Sequence, residues 1–247
     1  MQLKIFSGYE ALCKETCALI IDYIDKKPHA LICFASGHTP VGVFKELHQA
    51  QQNGETDLTH CTFLSLDEWV GIERNNPGAC LAMLQRDCFT PLQIKPEQIQ
   101  YFNPNAANLE SECTRINQLI ESFNGIDIML VGVGTNGHIG MNEPGTAFSS
   151  VAHVAELAEE TIQVGQKYFN SPTQLRLGIT LGLSHLQKAT LPLILASGKH
   201  KAPIIAKALA TTATESIPVS IVHLIPQAHL LIDKDAASLL PDSINAQ

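Results

Sequence analysis

A glycine-rich segment in the middle of the chain carries the densest set of reactive side chains. Residues 128–145 read IMLVGVGTNGHIGMNEPG, so that Asn136, His138 and Glu143 follow an apolar run. A histidine followed five residues later by a glutamate, on a loop able to fold back, is typical of an imidazole oriented by a carboxylate. Because buried strands of open α/β sheets carry reactive groups on the turns at their carboxyl ends, we interpret this turn as part of an active site.

A second acid–base group follows another apolar run. Asp67 and Glu68 stand at the end of a predicted buried strand, in the segment SLDEW. Partial burial at that place would raise the pKa of a carboxyl group towards a value useful for proton transfer. The alternative is an aspartate that caps a helix beside a solvated glutamate.

Two other turns have the composition of anion-binding sites. In SGHTP, Ser36, Gly37 and Thr39 lie between a predicted strand and a predicted helix, with Thr39 as the expected N-cap. Free amides and hydroxyls at such a helix start point towards an incoming anion such as phosphate. The turn SGKHK contributes Lys201, and Lys167 is a further basic candidate. A plain capped helix and solvated surface lysines are the alternatives.

The central segment is poorly suited to a dinucleotide or a metal. GVGTNG at 132–137 has the glycine spacing of a dinucleotide fingerprint, but glycine and proline in the next ten residues break the helix that must follow. A metal would need a third ligand beside His138 and Glu143, and His153 is the only near candidate. No HxxxH or HExxH spacing supports that ligand set, so we expect neither a nicotinamide cofactor nor a metal.

Apolar runs alternate with segments of helical period along the chain. The predicted strands span 30–35, 61–66, 126–133, 190–196, 220–224 and 229–232, and the predicted helices span 8–25, 41–51, 77–89, 108–123, 161–169, 181–186 and 200–210. Repeated strand-then-helix order predicts an α/β fold with an open, mostly parallel sheet and helices on both faces. The polar turns each follow a predicted strand, so in such a sheet they would converge on one crevice.

Length, charge and cysteine content narrow the class of protein. The 247 residues suit one α/β domain, 1–247, and no linker or repeat suggests a boundary. A net charge of −8 without clustered Lys or Arg argues against nucleic acid or an anionic membrane as partner. Seven cysteines without a CxxC pair indicate reduced thiols, and no signal peptide or membrane-length apolar run is recognised. We therefore expect a cytoplasmic protein.

The polar turns, read as a set, resemble a known enzyme family. SGHTP, LDEWVG, GVGTNGHIGMNEPG, GITLG and SGKHKA are similar to segments of the glucosamine-6-phosphate deaminase (isomerase) family, which includes galactosamine-6-phosphate deaminases and, more distantly, 6-phosphogluconolactonases. The resemblance runs from about Ser36 to Lys201 and extends to the tail at 217–240. It implies a Rossmann-like fold, no organic cofactor, and conversion of a 2-amino-2-deoxyhexose 6-phosphate to a ketose 6-phosphate and ammonia.

The resemblance also implies a role for each matching residue. Asp67 matches the carboxylate that moves a proton between C2 and C1, His138 matches the acid–base group of ring opening, and Glu143 matches the carboxylate that orients it. Asn136 matches a position that is Asp in some members and Asn in others, and a neutral amide stabilises an imidazolium less than a carboxylate does. The phosphate contacts carry over to Ser36, Gly37, Thr39, Lys201 and Lys167.

Several alternatives stay open at this point. Glucosamine 6-phosphate, giving fructose 6-phosphate, is the default substrate. Galactosamine 6-phosphate, giving tagatose 6-phosphate, is a close rival because DEWVG followed by NNPGAC, and GITLG, look at least as much like that branch. A 6-phosphogluconolactonase and a non-catalytic sugar-phosphate sensor are the further alternatives. Because the chain ends soon after the last predicted strand, we expect a monomer or small homo-oligomer.

Overall fold

A seven-stranded sheet with only parallel neighbours forms the centre of the computed structural model, which describes residues 1–241. Its strands, in spatial order, are β1 (Gln2–Phe6), β10 (His229–Asp233), β9 (Leu191–Ala196), β6 (Ile128–Gly132), β2 (Leu31–Phe34), β3 (Thr62–Ser65) and β5 (Ile99–Gln100). Because all seven run in the same direction, the turns after β2, β6 and β9 lie at one edge of the sheet.

A second, three-stranded antiparallel sheet lies beside the first. It consists of β4 (Asp67–Trp69), β8 (Leu177–Thr180) and β7 (His153–Glu156), with β8 in the middle. Leu66 joins the two sheets, because its amide donates to Phe34 over 3.1 Å and its carbonyl accepts from Leu181 over 3.0 Å. Asp67 therefore begins a strand of the small sheet, and the expectation that it ends a strand of the main sheet is wrong.

Seven α-helices connect the strands within residues 1–241. They are α1 (Tyr9–Lys26), α2 (Val41–Gln52), α3 (Cys80–Leu84), α4 (Leu109–Ser122), α5 (Glu159–Gly165), α6 (Leu183–Lys188) and α7 (Ala202–Ala210). A π-helical turn, Gln85–Phe89, continues α3, and short 3-10 helices lie at Pro96–Gln98, Gln166–Tyr168, Lys199–Lys201 and Pro218–Leu224. Within residues 1–241, no helix is long and apolar enough to cross a membrane.

The main sheet is buried on both faces, as its apolar strands predict. Leu31 and Cys33 of β2 pack into a core cluster with residues of α4, α6 and α7. Ile32 and Phe34, which point the other way, pack into a second cluster with residues of α1 and α2. The predicted α/β fold, with an open and mostly parallel sheet covered by helices on both sides, is confirmed.

The strand predicted at 220–224 is wrong, since Pro218–Leu224 forms a 3-10 helix. Ser220 explains the difference: its hydroxyl accepts from the Thr214 amide at 2.8 Å and donates to the Thr214 carbonyl at 2.9 Å, which satisfies a buried turn locally. A short apolar run alone does not distinguish a strand from a buried helical turn. The place beside β10 is taken instead by β1, where Gln2 pairs with His229.

Candidate active site

A cavity of about 160 Å³ opens at the carboxyl edge of the main sheet. Its walls come from the turns after β2, β6 and β9, from β4, and from the segment that follows β7. Six of the residues singled out in the sequence line it: Ser36, Gly37, Thr39, Asp67, His138 and Lys201. The polar turns thus converge on one crevice, as the parallel sheet predicts.

Asp67 is a buried carboxyl group aimed into this cavity. Successive residues of a strand point to opposite sides, so Asp67 and Trp69 line the cavity while Glu68 faces away from it. With Asp67 only 7% exposed, burial raises its pKa to about 7, the neighbouring Glu68 adds to the rise, and a hydrogen bond from Cys80 opposes it. The carboxyl group can therefore exchange a proton near neutral pH.

Glu68, to which the sequence assigned no role, anchors the chain around Asp67. Its carboxylate accepts three backbone amides, from Trp69 at 2.9 Å, Cys80 at 2.8 Å and Leu81 at 2.9 Å. Burial raises the pKa of Glu68, and these amide hydrogen bonds oppose the rise. The second residue of the acidic pair, rather than Asp67, thus binds the start of a helix, where the free amides and the dipole favour a carboxylate.

His138 lies against the glycine turn that precedes it. A Cβ on Gly134 would lie 2.3 Å from the imidazole, so only glycine leaves room for the ring there. The Nδ1 atom is 3.2 Å from the Thr161 hydroxyl and 3.7 Å from Glu143 Oε2. Burial lowers the pKa of His138, and Lys201 adds to this, while Glu143 opposes it. The ring is therefore neutral at neutral pH.

Asn136 and Glu143 lie next to His138 but do not line the cavity. Asn136 donates from Nδ2 to Glu143 Oε2 over 2.9 Å, and its Oδ1 accepts the His138 amide at 3.0 Å. The other oxygen of Glu143 accepts the Ala158 amide at 3.3 Å. Asn136 thus binds the Glu143 carboxylate and the backbone amide of His138, and it orients both groups. Neither of these hydrogen bonds involves the imidazole ring.

The turn after β2 takes a shape that glycine favours. Gly37 has φ of +91°, and a Cβ there would lie 3.0 Å from the Tyr168 hydroxyl. The expectation that Thr39 caps the following helix is wrong: α2 begins at Val41, Pro40 is the N-cap, and no side chain caps it. Since Pro40 directs the chain into the helix, the Thr39 side chain is left to line the cavity.

Tyr9 supports this turn from the opposite side. Its hydroxyl accepts the Gly42 amide at 2.8 Å and donates to the Thr39 carbonyl at 2.9 Å. Burial raises the pKa of Tyr9 to about 12, so the hydroxyl keeps its proton for this bond. The turn is therefore held in place by a residue of α1 that lies 30 positions before Thr39 in the chain.

The two predicted lysines differ in their positions. Lys201 lines the cavity from the 3-10 helix that precedes α7. Burial lowers the pKa of Lys201, the charge of Glu160 opposes this change, and the charge of Lys167 adds to it. The turn that carries it is tied to β10, because Asp233 accepts the Ser197 hydroxyl and the Gly198 amide. Lys167 lies outside the cavity wall, near enough for its charge to act on Lys201.

Several contacts of the site were not predicted from the sequence. Thr161 is the hydrogen-bond partner of His138, and Tyr168 stacks on His38 with ring centroids 5.5 Å apart. Cys80 lines the cavity beside Asp67. A hydroxyl at the start of a predicted helix was the available signal for Thr161, whereas Cys80 and Tyr168 reach the site only through tertiary packing.

No metal-binding group stands out in the described part of the chain. Among residues 1–241, no three His, Cys, Asp or Glu side chains are grouped so as to hold an ion. His153, the only third ligand that the sequence offered, lies in β7, and its Nδ1 is 2.8 Å from the Val151 carbonyl.

The fold and the cavity define an α/β enzyme whose crevice carries a buried carboxyl group, a histidine with a glutamate close to its far side, and a glycine-containing turn at the start of a helix. The family model described as glucosamine-6-phosphate isomerases/6-phosphogluconolactonase matches residues 7–230, and the chain belongs to this family. The chain is 37% identical to the glucosamine-6-phosphate deaminase of Geobacillus sp. (strain WCH70), over 98% of this chain and 97% of the relative. It is 36% identical to glucosamine-6-phosphate deaminase 1 of Bacillus subtilis (strain 168), over 98% and 100%.

A solved structure at 35% identity gives the same assignment. A monomeric glucosamine-6-phosphate deaminase superposes with a TM-score of 0.93 and 35% identity, covering 97% of this chain and 100% of the other. The 6-phosphogluconolactonase of Trypanosoma brucei superposes with a TM-score of 0.78 at 18% identity, covering 97% and 98%. The second comparison establishes a shared fold.

Proposed function

We propose that this protein is a hexosamine-6-phosphate deaminase that converts glucosamine 6-phosphate and water to fructose 6-phosphate and ammonia. The observation that carries the proposal is the placement of two proton carriers, Asp67 and His138, on separate walls of one cavity. Identity of 37% over nearly the whole length to a glucosamine-6-phosphate deaminase supports this substrate class.

Ring opening is assigned to His138. Its Nδ1 faces Thr161 and Glu143, which leaves Nε2 for the substrate. The neutral imidazole takes the proton of the O1 hydroxyl and returns one to O5, so that the C1–O5 bond breaks and an aldehyde forms at C1. Glu143 stabilises the imidazolium present between the two transfers, and a positioned proton transfer of this kind contributes about 100-fold to 10,000-fold.

Enolisation is assigned to Asp67. Its carboxylate removes the C2 proton while the C2 ammonium group of the substrate passes a proton to O1, which gives a C1–C2 enol that bears an amine, and the carboxylic acid of Asp67 then returns its proton to C1. The product is an imine at C2, which adds water and releases ammonia to leave the ketose. A carboxyl group with a pKa of about 7 is basic enough to take the carbon-bound proton and acidic enough to return it.

Phosphate binding is assigned to the turn after β2 and to Lys201. Ser36, Gly37 and Thr39 supply amides and hydroxyls at the start of α2, where the helix dipole favours an anion. Lys201 supplies a charge, and the phosphate would relieve the cost of burying it. Lys167, whose charge acts on Lys201, completes the set. As a lysine it offers a point charge rather than the two-pronged contact of arginine.

Galactosamine 6-phosphate remains the alternative substrate, because the segment NNPGAC follows DEWVG in this sequence. The last residue of that segment, Cys80, lines the cavity together with Asp67. A lactonase needs no base for a carbon-bound proton, so a buried carboxyl group titrating near neutrality favours the deaminase. A sensor without catalysis has no use for either proton carrier. Ammonia release from each amino-sugar phosphate, beside hydrolysis of 6-phosphogluconolactone, tests the assignment; no ammonia from either sugar would refute it.

We further infer a monomer or small homo-oligomer that works in the cytoplasm as one catalytic domain without an organic cofactor. A monomeric deaminase is among the structures with the same fold, which supports the small assembly. All seven cysteines are buried free thiols, as suits a reducing compartment. Light scattering tests the assembly, and the mass of a hexamer would contradict the inference.

A further inference from the structure

Cys80 lies at the point where the proposed base and the proposed phosphate turn meet. It is the first residue of α3, is 3% exposed and lines the cavity. It shares the cavity wall with Asp67 and Ser36. Hydrogen bonding with both side chains acts on the pKa of its thiol, so this thiol adjoins the groups assigned to the two ends of the substrate.

The position of this thiol is set by Glu68. The Glu68 carboxylate accepts the amides of Cys80 and Leu81 over 2.8 and 2.9 Å, which ties the first turn of α3 to β4. Consecutive strand residues point to opposite sides. Glu68 therefore binds the backbone of α3, while Asp67 lies beside the side chain of Cys80, the first residue of α3. The thiol and the carboxyl group are thus held in register by two buried, charge-assisted bonds.

Resting on the proposed function, we propose that Cys80 is a positioning residue for the enolising base: its thiol donates to the Asp67 carboxylate, and its sulfur accepts from the Ser36 hydroxyl. The donor occupies one carboxylate oxygen and leaves the other facing the sugar carbon. The thiol keeps its hydrogen throughout, because burial and the adjacent Asp67 raise the pKa of Cys80 well above its ordinary value. It undergoes no covalent chemistry.

The surroundings of Asp67 make the proposal measurable. Other titratable groups lie around it. Glu68, the next residue of β4, acts on Asp67 through its charge, Cys33 on β2 and Tyr168 on the 3-10 helix after α5 are close enough to feel the Asp67 charge, and His138 and Lys201 line the same cavity. Burial raises the pKa of both Cys33 and Tyr168, so these two stay uncharged near neutral pH. Glu68, His138 and Lys201 are unchanged in a series of Cys80 variants. A difference within that series therefore reports the thiol.

The experiment is the pH profile of kcat/KM for ammonia release by Cys80→Ala, Cys80→Ser and wild-type protein. Loss of the donor in Cys80→Ala moves the acidic limb to higher pH by about half a unit, the value of a weak hydrogen bond, and lowers kcat more than it changes KM. The near-isosteric Cys80→Ser variant has a stronger donor and moves the limb to lower pH. The control Cys88→Ala removes a buried thiol outside the cavity wall and leaves the limb in place.

Opposite shifts in the two Cys80 variants support the proposal, and an unchanged limb in both would overturn it. If Cys80→Ala fails to fold, the sign of the Cys80→Ser shift alone decides. A purely structural role predicts lower kcat in Cys80→Ala and Cys80→Ser without movement of the acidic limb in either variant. An inactive wild-type protein would instead refute the proposed function, a result distinct from an active protein with an unchanged limb.

Discussion

Asn136 donates a 2.9 Å hydrogen bond to the Glu143 oxygen that lies 3.7 Å from His138 Nδ1. In Asn136→Asp the amide donor becomes a second carboxyl group, and two carboxylates this close cannot both ionise without cost. At low pH the new carboxyl group and Glu143 share a proton, and we expect kcat to stay close to the wild-type value. As pH rises, both groups become charged and repel each other, so Glu143 moves away from His138 and kcat falls. The kcat ratio of variant to wild type, followed from acidic to alkaline pH, tests this; a ratio independent of pH contradicts it.

Ionising Asp67 in the folded protein costs stability. Its pKa rises from an ordinary value of 3.8 to about 7 on folding, so the folded state holds the proton more tightly and stability declines as pH rises between these values. Asp67→Asn removes this cost and should stabilise the protein at about pH 8 by up to about 4 kcal/mol, with little difference near pH 4. Urea unfolding of both proteins at each pH measures the effect.

The exposed Asp57 is the control for that comparison. Hydrogen bonds from Thr59 lower its pKa, so Asp57→Asn should lose a little stability towards neutral pH rather than gain it. A wild-type protein more stable than Asp67→Asn at about pH 8 would contradict the burial argument.

Activity should require Asp67 to be ionised. Because its pKa is about 7, we expect kcat/KM to rise with pH through that value. Burial lowers the pKa of His138, so His138 does not set this limb. The substrate phosphate titrates near pH 6 and is tested separately through inhibition by inorganic phosphate across the same pH range. An acidic limb near the ordinary carboxyl pKa would contradict the prediction.

Gly37→Ala should weaken phosphate binding. The variant must hold φ of +91° with a Cβ 3.0 Å from the Tyr168 hydroxyl, so the turn and the tyrosine must both shift. We expect KM to rise roughly 10-fold, since a left-handed residue other than glycine costs about 1–2 kcal/mol. Gly54→Ala is the matched control: its φ is +74°, and a Cβ there meets nothing within 4 Å. Equal KM values in the two variants would contradict the role of Gly37.

Lys201→Met and Lys199→Met form a matched pair on one 3-10 helix. Lys201 lines the cavity, whereas Lys199 is exposed and does not. Loss of a charged contact to phosphate should raise KM and the inhibition constant of inorganic phosphate about 10-fold to 100-fold in Lys201→Met alone. Similar constants for the two variants would mean that phosphate binds elsewhere. Lys167→Met should have an intermediate effect.

Strands β2, β3, β6, β9 and β10 of the main sheet were predictable because they are apolar runs that alternate with helices, whereas β1 and β5 at its two edges were not predicted. The small sheet was not: β4 has three residues, two of them acidic, and only pairing with Ile179 and its neighbours makes it a strand. Residues 220–224 show the opposite case: an apolar, β-branched run forms a buried 3-10 helix, because the Ser220 hydroxyl bonds to Thr214.

The convergence of Ser36, His138 and Lys201 on one cavity was predictable because each lies on a turn that follows a parallel strand. Such turns share an edge by construction. Cys80 and Tyr168 follow no strand of the main sheet, and they reach the cavity because Glu68 anchors α3 and because the segment after α5 folds over Gly37. Contacts of this kind depend on packing between distant segments, which spacing in a sequence does not encode.

Nuclear magnetic resonance of glucosamine 6-phosphate with wild-type and Asp67→Asn protein tests most directly the division of labour between His138 and Asp67. Exchange between the two anomers reports ring opening, and loss of the C2 proton with ammonia release reports enolisation. We predict that the wild type catalyses both, whereas Asp67→Asn still exchanges the anomers and leaves the C2 proton in place. Loss of the C2 proton at the wild-type rate in Asp67→Asn would contradict the account.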